Sequence, residues 1–193
     1  MPQNIRAASS AAGQSARTPS AAALGSLPEW DLSDLYPSID SPELARDLAR
    51  GAADCADIAS RPDAGRVLAE AVKRYEAIED VLGRVISFAS LNYAGDTSDP
   101  RRAKFYGDAQ ERVTAASLHL LFFTLELNRI DDAALERAMQ DPALGHYRPW
   151  LEELRKEKPY QLDEKIEELF HEKSVTGYSA WNRLFDETLA SLR

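Results

Sequence analysis

A single cysteine, Cys55, in 193 residues excludes an internal disulfide and suits a reducing compartment. No apolar run approaches the roughly 18 residues that a membrane span needs. The longest candidate, Leu118 to Leu127, is interrupted by His119, Thr124 and Glu126. Bases are the minority, 23 Lys and Arg against 32 Asp and Glu, for a formal net charge of -9. A surface of that sign repels phosphate backbones and anionic lipid, so no nucleic acid and no membrane are expected as partners. No window alternates apolar and polar residues over strand length, which predicts little or no sheet. No repeat recurs at a fixed period.

What is present is 44% hydrophobic residues, enough for one modest core. Residues 1–27 stand apart. They are rich in Ala and Ser, contain no acid, and carry charge only at Arg6 and Arg17. Too little apolar surface is present there to offset ordering entropy, so the stretch reads as a disordered leader. A transit peptide shares that composition, but the hydrophobic centre of a secretory signal is missing. Residues 28–193 read as one helical domain.

That domain is expected to open on an irregular anchor, Trp30-Asp31-Leu32-Ser33-Asp34-Leu35-Tyr36-Pro37. Its Asp and Ser residues favour turns, and Trp30, Leu32, Leu35 and Tyr36 would pack it onto the body. Ser41-Pro42-Glu43 supplies an N-cap, a first-turn proline and a first-turn acid for a helix reaching about Ile58, before Arg61-Pro62. Gly51 weakens its middle by about 1 kcal/mol relative to Ala. Leu68, Ala71, Tyr75, Ile78, Leu82, Val85 and Ala89 then form one apolar stripe at three-four spacing. After Gly95 to Ser98, Asp99-Pro100 restarts a helix striped by Tyr106, Ala109, Val113, Ala116, Leu120, Phe123, Leu127 and Ile130. The pair predicts an all-α fold built around a long antiparallel helical hairpin. Leu118, Leu121, Phe122 and Leu125 widen the second stripe, so that helix is expected to be buried on more than one side.

The last third predicts shorter helices. Asp131 or Asp132 caps one through Met139, Asp141-Pro142 starts a turn, and Pro149 opens a charged helix ending by Lys158-Pro159. Leu162 to His171 forms the next, with Leu162, Ile166, Leu169 and Phe170 on one face. Gly177 breaks the chain and Ser179 caps a final helix bearing Trp181, Leu184, Phe185 and Leu189.

Chemistry is sparse. His171-Glu172-Lys173-Ser174-Val175 has the start of a zinc helix, but His-Glu-x-x-His needs a second imidazole four residues on, and Val175 stands there. His171 therefore reads as a surface residue near a helix end. His119 and His146 have no partner at ligand spacing. Glu152-Glu153 and Glu167-Glu168 point about 100° apart on a helix and read as solvated faces, Glu152 beside Lys156. No Gly-x-Ser-x-Gly elbow, phosphate loop or dinucleotide fingerprint occurs. Arg101-Arg102-Ala103-Lys104 reads as a solvated helix start or a salt-bridge donor. Trp150, Tyr160, Tyr178 and Trp181 could line a peptide groove, and core anchoring is the expected role. No residue is singled out as catalytic, cofactor-binding or metal-ligating.

A family resemblance rests on a series of landmarks. These are Trp30 to Tyr36, Ser90-Leu91-Asn92-Tyr93 with Asp96 to Pro100, and Leu151-Glu152-Glu153-Leu154-Arg155. His171 to Gly177 leading into Ala180-Trp181-Asn182-Arg183-Leu184-Phe185-Asp186-Glu187 completes it. In this order they resemble the N-terminal region of oligoendopeptidase F-type metallopeptidases, relatives of thimet oligopeptidase. The resemblance implies a cytoplasmic zinc enzyme that cuts short peptides in an enclosed helical channel. It places the zinc ligands in a C-terminal catalytic region. This segment would bind no zinc, wall the channel, and have that catalytic region and short peptides as partners. The competing reading is a free-standing helical interaction module without catalysis. The last helical pattern runs to Arg193 without a stop signal, which is expected of a piece of a longer protein. Such a piece should expose a contiguous apolar patch.

Overall fold

The computed structural model describes residues 30–59 and 68–192. The expected leader and the helix stop at Arg61-Pro62 lie outside the described residues. Every regular element among the described residues is helical. In order they are α1 (Pro42–Ala59), α2 (Leu68–Gly95), α3 (Pro100–Arg129), α4 (Asp132–Ala138), α5 (Pro142–Gly145), α6 (Arg148–Glu157), α7 (Glu164–Thr176) and α8 (Tyr178–Ser191). A short 3-10 turn, Lys158–Tyr160, follows α6.

The caps form where local chemistry places them. Ser41 Oγ accepts from Leu44 N at 3.3 Å. Asp99 accepts from Arg101 N at 2.7 Å, Asp131 from Ala134 N at 3.0 Å and Asp141 from Ala143 N at 2.9 Å. Each satisfies an amide that the first helical turn leaves without a partner. Two expected boundaries move. α7 starts at Glu164, capped by Asp163, and runs to Thr176; Glu167 accepts from Leu162 N at 2.8 Å and ties down the residue ahead of the helix. Ser179 lies inside α8 and caps nothing, because Gly177 occupies the cap position without a side chain.

The long helices α2 and α3 form the centre. Tyr93 stacks on Tyr106 at 5.2 Å, Phe88 meets Phe105 edge-on at 5.9 Å, and Tyr75 stacks on Phe123 at 5.2 Å. The first turns of α3 thus meet the last turns of α2, and Phe123 near the end of α3 meets Tyr75 near the start of α2. Helix α1 packs across both, and α3 also touches α6 and α7. That surrounding explains its wide apolar surface, with Leu125 and Leu127 both buried.

The anchor keeps only part of its expected grip. Tyr36 is buried and its hydroxyl donates to Asp47 Oδ2 at 3.0 Å. Burial, then the Asp47 carboxylate, pushes the Tyr36 phenol up to about 12. Leu32 and Leu35 pack on the same cluster. Trp30 is 72% exposed.

Two helical glycines predict opposite stability changes. A Cβ on Gly51 would lie 2.7 Å from Leu82 Cδ2, and Leu82 is buried. A Cβ on Gly83 meets nothing within 4 Å. Gly83→Ala should therefore raise unfolding free energy by about 0.5–1 kcal/mol through helix propensity. Gly51→Ala should lower it by about 1 kcal/mol, because overpacking by about 1–3 kcal/mol outweighs the same gain. Parallel urea melts check the pair, and equal signs would refute the tight α1–α2 approach.

Candidate functional site

No three His, Cys, Asp or Glu side chains converge to hold a metal among the described residues. Cys55 is fully buried; burial, then the charges of Glu79 and Asp54, pushes its thiol up to about 11. It is a core residue beside Ile78 and Leu82, and its thiol stays protonated near neutral pH.

The carboxylate pairs divide among separate partners. Glu152 pairs with Arg148 at 3.5 Å, and Lys156 pairs with Glu153 at 2.5 Å rather than with Glu152. Glu164 reaches Arg129 of α3 at 2.8 Å. The basic cluster is spread in the same way: Arg101 pairs with Asp40 at 3.4 Å, Arg102 with Asp99 at 3.6 Å, and Lys104 with Asp108. Asp96 closes the preceding loop, accepting from Ser98 N at 3.0 Å.

His171 is not the surface residue that its spacing suggested. It is half-buried where α7 crosses α3. Its Nε2 lies 3.1 Å from Thr114 O and 3.0 Å from Ser117 Oγ. A carbonyl only accepts, so Nε2 carries a proton and donates, while Ser117 Oγ donates to the same carbonyl at 3.2 Å. The imidazole fastens one helix to another. Nothing in the spacing around His171 signals this, because its partners lie more than fifty residues away.

Beside this contact, α2 and α3, with His171 of α7 at one edge, form an open groove of about 340 Å³, lined by Leu82, Ile86 and Leu121 with Glu79 and Ser117. Gly83 opens onto it. Glu79 keeps an exposed side chain; protein packed near its carboxyl raises its pKa above the usual range, and a hydrogen bond from Tyr75 opposes that shift.

The other distinctive feature is apolar surface at the end of the chain. Neither α7 nor α8 contains a buried residue. Tyr160, Phe170, Tyr178, Trp181 and Phe185 are 61–78% exposed, with Leu162, Ile166, Leu169, Leu184, Leu189 and Leu192 at 43–69%. The core role expected for Tyr160, Tyr178 and Trp181 is overturned. Of the four aromatics, only Trp150 packs inward, 5.3 Å from Tyr75. At roughly 150–250 Å² per aromatic side chain, those five alone present on the order of 700 Å². Contiguous apolar patches larger than a few hundred Å² mark interaction surfaces on monomeric proteins.

The family model described as Oligopeptidase F, an N-terminal model of the M3 peptidases, matches residues 126–193. The match covers about a third of the chain and supports an oligoendopeptidase F-type N-terminal region over those residues. No curated protein and no solved structure matches the chain. The oligopeptidase F segment spans α4 to α8 with the end of α3, so it contains the whole exposed apolar stretch from Tyr160 to Leu192. It also contains Leu151, which is 1% exposed, and Arg155, which donates to Asn128 O and Ile130 O at 2.8 Å each. These two residues explain what Leu151-Glu152-Glu153-Leu154-Arg155 does: it locks α6 against the end of α3. No helix among the described residues is long and apolar enough to cross a membrane.

Proposed function

We propose that this chain is the helical, non-catalytic N-terminal part of a cytoplasmic zinc oligopeptidase, and that it forms one wall of the channel that admits short peptides. The observation that carries the reading is the coincidence of the oligopeptidase F segment with the uncovered apolar face of α7 and α8. A domain whose last two helices bury none of their own residues needs another body to cover them. In this reading that body is the catalytic region, which supplies the zinc-activated water and the general base. Residues 28–193 then act as one helical domain, contributing shape and a surface rather than reacting groups.

The test compares this chain with a protein extended to include the catalytic region, on a quenched fluorescent oligopeptide. The expected result is chelator-sensitive cleavage by the longer protein and none by the 193-residue chain. Metal-dependent cleavage by this chain alone would remove the non-catalytic assignment. Absence of cleavage by both would favour the free-standing interaction module, for which the same apolar face is the docking surface.

A further inference from the structure

The groove between α2, α3 and α7 combines three features that the fold itself does not require. Its floor opens over Gly83, where a side chain would meet no atom within 4 Å. Its walls include the apolar side chains of Ile86 and Leu121. Glu79 is its one carboxylate, and no Lys or Arg lines it among the described residues. At about 340 Å³ it lies at the small end of the roughly 300–1,000 Å³ typical of ligand pockets.

We infer that this groove is a peptide subsite, taking an aliphatic side chain over Gly83 and a neighbouring basic side chain against Glu79. Charge decides the class of occupant. A carboxylate without a basic neighbour in the groove attracts a cation, and it repels an acidic group placed at the same distance. The acidic balance of the whole chain, net -9, acts in the same sense at longer range. The apolar walls favour a side chain such as Leu over a polar one, by the area they remove from water. Ser117 Oγ and His171 Nε2 are already engaged with Thr114 O. They mark the α7 edge of the groove and hold it in place.

The inference rests on the channel-wall reading for its biological setting, but its test needs no catalysis. Acetyl-Leu-Lys-amide and acetyl-Leu-Glu-amide are titrated into the 193-residue chain, with the backbone amide of Gly83 followed by NMR. The lysine peptide should shift that amide and bind at least tenfold more tightly than the glutamate peptide. Glu79→Gln should remove most of that difference. Gly83→Leu, which fills open space, should abolish binding while far-UV circular dichroism stays unchanged. Equal binding of the two peptides, no shift at Gly83, or full binding by Gly83→Leu would overturn the assignment. If the subsite binds as expected and the longer protein fails to cleave, the peptidase reading falls and the peptide site stands. If the longer protein cleaves and Gly83→Leu binds normally, the reverse holds.

Discussion

Truncating Phe88 to alanine should lower the unfolding free energy by about 3–5 kcal/mol, the range for deleting a buried aromatic ring. Phe88 is 2% exposed. It meets Tyr36 edge-on at 5.4 Å and Phe105 at 5.9 Å, and it shares a cluster with Leu44, Leu48 and Val85. One ring therefore joins the anchor segment, α1, α2 and α3. The edge-to-face pairs add about 0.5–1.5 kcal/mol each beyond area burial, which argues for the upper half of the range. Little can move in to fill the space, because the surrounding side chains are held by their own helices. Urea denaturation checks it: the midpoint should fall with an unchanged slope. Phe88→Leu should recover more than half of the loss. A loss under about 1 kcal/mol would mean that the anchor does not pack on α2 as described.

The second large effect is expected at Arg155. Its guanidinium donates to Asn128 O and Ile130 O, both at 2.8 Å, and its side chain is only 16% exposed. These carbonyls lie at the end of α3, where no further helical amide reaches them. A reciprocal bond runs from Asn128 Nδ2 to Leu154 O at 3.3 Å. Charged hydrogen bonds of this type contribute about 1.5–3 kcal/mol each. Arg155→Ala should thus lower stability by about 3 kcal/mol. Arg155→Lys should recover less than half, since an ammonium cannot span two carbonyls with a planar fork. Asp132 also lies 3.5 Å from Arg155 but is 80% exposed, so Asp132→Ala should change little. If Asp132→Ala matched Arg155→Ala, the ion pair rather than the carbonyl clamp would be the source of stability. Thermal melts of the three variants separate the two explanations.

The helices were legible because their signals are local. Asp99-Pro100, Asp131 and Asp141-Pro142 each act on amides two or three residues away, and the stripes of α2 and α3 repeat within a few turns. All-helical architecture follows from that alone. Boundaries moved where Asp163 took over the capping of α7 and where Gly177, with no side chain to offer, took the cap position of α8. The landmarks of the family resemblance were also visible as residues, but their roles were not. Arg155 became a clamp and His171 a fastening only when α6 and α7 were laid against α3.

Burial of the aromatics shows where local reasoning ends. Trp150 and Trp181 sit in similar amphipathic helices, yet Trp150 packs on Tyr75 while Trp181 is 69% exposed. Helical period fixes which residues share a face, and it carries no information on whether a partner covers that face. The sequence by itself determined the helices, most of their caps, the acidic surface and the lack of a complete zinc motif. Only the tertiary structure decided which apolar faces meet, which glycine is pressed against a neighbour, and which opens a groove. The reason is physical: secondary structure depends on contacts within four residues, whereas packing depends on atoms brought together from distant parts of the chain.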